Sequence, residues 1–213
     1  MRLVRDAVLR SVQGESTVIA VVSSLPDEGK SRICLELADS LSGASLRTLL
    51  VDGDLRQPTL MTLAAAKMEL TQSKLGLAGI GSALEGTPMD REVIRCKPNF
   101  DLLPAFRVPN ARIDLLTGKA MVGLLREARK SYQFIIVDTP PLAVVSEGAA
   151  LAAMTDQTLF VSRGTGPSSR LIGDSLIKLR IVRASVLGLV HTGRLFIHVE
   201  VDRSKRARAY YLD

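Results

Sequence analysis

Apolar residues recur along this chain in two rhythms that take turns. Thr17 to Ser23 reads Thr-Val-Ile-Ala-Val-Val-Ser, a β-branched apolar run of the kind that forms a strand buried on both faces. Leu49 to Val51, Phe134 to Val137, Thr158 to Val161 and Val186 to Val190 have the same character. Helical spacing appears between them. Cys34, Leu37, Ala38 and Leu41 repeat at i, i+3, i+4 and i+7, with Gly43 as a C-terminal stop. Met121, Leu124, Leu125 and Ala128 form a second stripe, followed by Arg129 and Lys130 where a helix dipole favours cations. Ile172, Leu176 and Leu179 form a third. Continuous apolar strands separated by amphipathic helices require crossover connections. The expectation is an α/β fold: a mainly parallel central sheet with helices on both faces. The stretch from Thr59 to Asn99, with Gly76, Gly79, Gly81 and Gly86, is less regular and reads as helices and loops over one rim.

With 213 residues, 46% of them hydrophobic, the chain is long enough to bury a full core as one domain. No apolar run approaches the ~18 residues that span a bilayer, and the N-terminus lacks a signal-peptide layout, so a soluble chain is expected. Cys34 and Cys96 match no zinc or redox spacing and read as thiols of a reducing compartment. The net charge of +6 is concentrated in part in Arg203, Lys205, Arg206 and Arg208. No aromatic platform or recognition-helix pattern accompanies that run, so a solvated end is favoured and no nucleic-acid partner is expected. The division expected is a domain over residues 1–201 and a basic tail over 202–213.

The candidate chemistry follows three strands. Ser24-Leu-Pro-Asp27-Glu28-Gly29-Lys30-Ser31 lies between the first strand and the first helix, with the spacing of a Walker A loop. Backbone N–H groups of such a loop and of the helix N-terminus surround phosphates, and Gly29 admits the close approach. Lys30 would reach the β- and γ-phosphates of ATP, and the Ser31 hydroxyl is a hard ligand for Mg²⁺. An ordinary strand-to-helix turn would not account for a lysine aimed into it. Asp52, Asp54 and Arg56 leave the second strand in Leu-Leu-Val-Asp-Gly-Asp-Leu-Arg, and Asp138 leaves another in Ile-Val-Asp-Thr-Pro-Pro. Either aspartate alone would read as a helix cap. Acidic residues converging beside a Walker lysine instead supply a magnesium site and a base, the parts that phosphoryl transfer needs.

Together the Walker A loop, the Asp52-Gly-Asp54-Leu-Arg56-Gln-Pro58 motif and the Asp138-Thr-Pro-Pro motif resemble the bacterial protein-tyrosine kinases that govern capsular and exopolysaccharide synthesis. The likeness covers nearly the whole chain, and the second motif is its most discriminating part. It implies a Mg²⁺- and ATP-dependent tyrosine autokinase with Lys30, Asp52 and Asp54 as catalytic residues, Asp52 being the base or the group that orients the nucleophile. Ser31, Asp54 and Asp138 would hold the metal, and Asp27, Glu28, Gly29, Lys30, Ser31 and Arg56 the nucleotide. The acceptors would be Tyr210 and Tyr211, with Tyr132 structural. Arg2 and Arg5 have the spacing of the family's Glu-x-x-Arg-x-x-Arg motif, which packs subunits into a ring. Its glutamate falls before residue 1, so a piece of a longer membrane protein is expected, working at the cytoplasmic side of the bacterial inner membrane with a fused or separate membrane activator segment.

Three positions depart from the family pattern. Asp27 replaces a glycine and adds negative charge beside the phosphates. His191-Thr192-Gly193 replaces the region of an asparagine near the base, and the tail has only two tyrosines. Two other readings stay open. A partitioning or septum-placing ATPase switch would have a similar fold and metal site, but its signature lysine falls at Leu25 here. A catalytically weak nucleotide-binding scaffold is the other.

Overall fold

Every residue of Thr17–Ser23 (β1) is buried, because strands on both sides and helices on both faces enclose it. The computed structural model describes residues 1–12, 14–68, 79–106, 110–164, 169–193 and 199–201. The other strands are Thr48–Asp52 (β2), Ile94–Lys97 (β3), Phe100–Leu103 (β4), Phe134–Asp138 (β5), Gln157–Arg163 (β6), Val186–Thr192 (β7) and Val199–Val201 (β8). They form one sheet in the order β3-β4-β2-β5-β1-β6-β7-β8. The inner pairings are parallel, while the outermost pairs, β3 with β4 and β7 with β8, are antiparallel. The mainly parallel sheet expected from the apolar runs is therefore present.

Alternation along β1 separates the two cores. Ile19 and Val21 face one side, where Arg2–Ser11 (α1), Lys30–Ser42 (α2) and Leu60–Met68 (α3) pack through Val4, Val8, Leu37, Leu41 and Leu60. Val18, Ala20 and Val22 face the other side. It is covered by Ile80–Leu84 (α4), Lys119–Ala128 (α6), Glu147–Ala153 (α7) and Ser169–Ile181 (α8). The short helix Met89–Glu92 (α5) and a 3₁₀ helix at Asn110–Thr117 complete the described elements.

Three expectations need correction. The stretch from Thr59 to Asn99 does carry helices, but it ends in β3, which widens the sheet. β3 turns back through Pro98 and Asn99 into β4, with Asn99 left-handed at φ 63°. Ile94-Arg-Cys-Lys is too short, and too exposed on one side, to show as a buried strand. The N-terminal helix α1 was also not foreseen. On α8, Leu179 is fully buried and Ile172 packs behind it, but Leu176 is 41% exposed. The buried place in that turn belongs to Ser175, whose Oγ lies 2.9 Å from Ser24 Oγ in the Walker A loop. A hydroxyl there satisfies another buried hydroxyl, which leucine cannot do.

Tyr132 is structural as expected, its OH donating to Asp101 Oδ2 at 2.7 Å. Leu50, fully buried in β2, should be among the costliest sites to truncate. Leu50→Ala is expected to lower unfolding stability by about 2–5 kcal/mol, and Leu176→Ala by no more than about 0.5 kcal/mol. Urea-melt midpoints measure both, and equal shifts would contradict this packing.

Candidate nucleotide and magnesium site

β1 delivers the chain to the carboxyl edge of the sheet at Ser23, and α2 leaves that edge at Lys30. Two residues of the turn between them are left-handed, Asp27 at φ 60° and Gly29 at φ 89°. Glycine takes that conformation without a Cβ penalty, and aspartate tolerates it better than most residues. No side chain caps the N-terminus of α2, so the first-turn N–H groups and the positive end of the helix dipole face the loop. Such a turn binds anions. Glu28 is only 2% exposed. Its Oε2 accepts from the Leu25 N–H at 2.6 Å and its Oε1 from the Arg163 N–H at 3.1 Å.

Lys30 turns back beneath the loop. Its Nζ donates to Asp138 Oδ1 at 2.5 Å and approaches Ser31 Oγ at 3.4 Å. Burial by itself would lower the pKa of this ammonium, but Asp138 and neighbouring charges outweigh that and hold it above its ordinary value. Asp138 ends β5 and Asp52 ends β2, and the two are direct partners in the parallel ladder. Both are fully buried. Asp52 accepts from the N–H groups of Asp54 and Leu60, each at 3.2 Å, and Asp54 accepts from those of Arg56 at 3.2 Å and Gln57 at 3.0 Å. The glycine between them is a steric requirement. Gly53 N donates to Asp138 O at 2.8 Å, and a Cβ at Gly53 would stand 2.5 Å from that oxygen.

Burial raises the proton affinity of two of these carboxylates. Burial, and next the charge of Asp138, push Asp52 up to about 8. Burial also raises Asp54. Beneath them the Cys34 thiol is raised well above its ordinary value by burial and then by Asp138, which leaves it inert at neutral pH.

Magnesium fits the donor set. Asp138 Oδ2 is buried with no hydrogen-bond partner, and the neighbouring ligands are hard carboxylate and hydroxyl oxygens. Among the described residues no three His, Cys, Asp or Glu side chains form a metal cage.

The structure thus brings Lys30, Ser31, Asp52, Asp54 and Asp138 to one edge. Arg56 stands at the rim, its Nη2 2.7 Å from Glu147 Oε1. Asp27 is exposed, and its carbonyl accepts from Arg163 Nη1 at 3.4 Å. Arg2 and Arg5 lie on α1, Arg5 paired with the adjacent Asp6 at 3.0 Å. His191 and Thr192 belong to β7 itself. Tyr210 and Tyr211 lie outside the described residues. Sequence reasoning missed Thr192, whose hydroxyl donates to the Glu28 carbonyl at 2.7 Å, along with Glu147 and Ser175. All three meet the site from distant segments, and no local pattern marks them.

A strand–loop–helix phosphate cradle beside paired strand-end aspartates defines a P-loop nucleotide-binding protein. No protein-family model matches the chain, but individual relatives do. It is 35% identical over 181 residues to the succinoglycan biosynthesis transport protein ExoP of Rhizobium meliloti, covering 83% of this chain and 22% of that protein. To the tyrosine-protein kinase CpsD of Streptococcus pneumoniae it is 28% identical over 191 residues, covering 87% of this chain and 75% of CpsD. Its fold superposes on the VpsO kinase domain with a TM-score of 0.78 at 27% identity, over 91% of this chain and 92% of that one. Over most of its length the chain is similar to bacterial tyrosine kinases. A septum site-determining protein shares the fold at 16% identity, a kinship of architecture alone.

The raised Asp52 gives a pH test. The folded chain holds that proton from roughly pH 4, where an unfolded carboxyl loses it, up to about 8. A group that binds its proton more tightly when folded makes stability fall as pH rises through that window. Asp52→Asn removes the titration, so its urea midpoint should vary less between pH 4 and 8 than that of the parent chain. An unchanged slope would contradict the buried, crowded Asp52.

Proposed function

We propose that this chain is an ATP-dependent protein-tyrosine autokinase serving capsular or exopolysaccharide synthesis. The observation that carries the reading is the placing of Asp52 and Asp138 side by side at the sheet edge, with Lys30 against Asp138 at 2.5 Å. Nucleotide phosphates would rest on the loop N–H groups of residues 27–31, and Ser31, Asp54 and Asp138 would hold magnesium, directly or through water. The ion would supply charge neutralisation for the transferred phosphoryl group and orient its oxygens.

The chain's own residues do the rest. Lys30 leaves Asp138 for the β- and γ-phosphates, exchanging one anionic partner for another and freeing the carboxylate for the metal. Asp52 accepts the hydrogen bond of the incoming phenol. Free tyrosine has a pKa of about 10, and burial moves Asp52 toward it, to about 8, so the ionised form of Asp52 is a stronger base than an exposed carboxylate. Positioning and a dry site complete the chemistry.

The acceptors in this reading are Tyr210 and Tyr211, delivered to a neighbouring subunit of a homo-oligomeric ring in which Arg2 and Arg5 contribute to the interface. Each phosphate adds about −1.5 to −2 charges beside Arg206 and Arg208, which draws the tail from an acidic site and loosens the ring. Among the described residues no helix is long and apolar enough to cross a membrane. The chain spans only 22% of ExoP's length but 75% of CpsD's, and in this reading it works with a membrane activator segment, fused or separate. In this reading the chain works at the cytoplasmic side of the bacterial inner membrane.

Incubation with Mg·ATP and detection of phosphotyrosine tests the proposal. The parent chain should modify Tyr210 and Tyr211, while Lys30→Met should lose activity by about 10²-fold or more. Mixed with an active chain in which both tail tyrosines are Phe, the Lys30→Met chain should gain phosphotyrosine. ATP hydrolysis without phosphotyrosine would point to a partition-type switch instead, and nucleotide binding without either reaction to a scaffold.

A further inference from the structure

The phosphate loop is held from its far side by contacts that involve neither Lys30 nor the aspartates. Thr192 closes β7, and its Oγ1 donates to the Glu28 carbonyl at 2.7 Å. Gly164 N donates to Thr192 O at 3.0 Å, which locks the ends of β6 and β7 together. The Thr192 side chain is also the wall behind Gly29, its methyl and hydroxyl each 3.5 Å from where a Cβ on that glycine would stand. The Glu28 carboxylate spans the loop's base, from the Leu25 N–H at 2.6 Å to the Arg163 N–H of β6 at 3.1 Å.

The peptide plane turns these contacts into an orientation. In a trans peptide the carbonyl of residue 28 and the N–H of residue 29 point in opposite directions. A hydroxyl that pins the Glu28 carbonyl toward β7 therefore aims the Gly29 N–H away from β7. Glycine at φ 89° is the residue least able to hold such a peptide by its own sterics, so an external tether has something to correct. The Glu28 carboxylate is committed at both oxygens and faces inward, which separates its role from that of a phosphate ligand.

We propose that Thr192 and Glu28 are positioning residues for the phosphate loop. Thr192 sets the 28–29 peptide so that the Gly29 N–H faces the bound phosphates, and the Glu28 carboxylate sets the distance between the loop and β6. Neither side chain touches the nucleotide. The inference rests on the loop's binding nucleotide phosphates, and its test separates the two claims.

A fluorescent ATP analogue with Mg²⁺ is titrated into the full chain and its Lys30→Met, Thr192→Val, Thr192→Ser and Glu28→Gln variants, with thermal melts to verify folding. Thr192→Val removes the hydroxyl and nearly keeps the shape, and should weaken binding about 10-fold, the scale of one buried hydrogen bond. Thr192→Ser, which restores the donor, should bind within about 2-fold of the parent, and Glu28→Gln, which keeps one acceptor, should fall between the two. In phosphorylation assays the loss should appear in KM for ATP more than in kcat, since neither residue meets the reacting atoms. Should Thr192→Val not fold, Thr192→Ala carries the same expectation. Unchanged affinity in the variant lacking the hydroxyl, or an equal loss in Thr192→Ser, overturns the tether. If Lys30→Met abolishes binding in that case, the nucleotide site still stands, whereas absence of binding by the parent chain overturns both.

Discussion

One buried ammonium governs the arrangement of charge in this molecule. Lys30 meets Asp138 at 2.5 Å with both side chains almost wholly out of water, in a cluster that also contains Asp52 and Asp54. Removing one partner of such a pair generally costs about 3–5 kcal/mol, because the other charge is left uncompensated. One positive charge facing three carboxyl groups does not balance them. Burial first, and the charge of Asp138 after it, raise the proton affinity of Asp52 and Asp54, and one Asp138 oxygen is buried with no partner. A site in that condition favours any species that brings positive charge and coordinates oxygen. Magnesium with a nucleotide does both, and its phosphates also offer Lys30 a new partner.

The sheet makes this crowding possible. Strand pairing sets Asp52 beside Asp138, and the fully buried apolar residues behind them, Leu50 and Ile136 on one face and Val51 and Val137 on the other, allow neither strand to slip. A one-residue shift would turn every one of these side chains to the opposite face. Gly53 gives way where β5 comes closest, and Asp54 enters the same space. The two tight features of the site, the left-handed loop and the aspartate pair, are thus ends of strands whose interiors are ordinary hydrophobic core.

Much of this was legible in the residues. Five buried strands announced themselves as apolar runs, β4 with its buried Asp101 did not, and the order of strand, turn with Gly29, lysine and helix gave the phosphate loop. The strand-end aspartates pointed to one edge because parallel strands share a carboxyl end. What stayed hidden has physical causes. β3 is four residues long at a sheet edge, with one side in solvent, so it carries almost no hydrophobic signal. Ser175 breaks the apolar stripe of its helix to bond Ser24, a partner 151 positions away. Thr192 reads as part of the region near the base, and only the fold shows its hydroxyl on the Glu28 carbonyl. Glu28 itself, in a loop of phosphate-binding type, reads as a nucleotide contact, and only the folded chain directs its carboxylate to Leu25 and Arg163.

In the proposed reading this edge is a joint site for magnesium and nucleotide, with the metal resting on the aspartates rather than on phosphate alone. Calorimetric titration of ATP in the presence of magnesium and of a chelator tests it most directly, in the parent chain and in Asp138→Asn. Magnesium should strengthen ATP binding at least about 10-fold in the parent chain and by much less in Asp138→Asn. Equal affinity with and without magnesium in the parent chain, or an undiminished magnesium effect in Asp138→Asn, would contradict it.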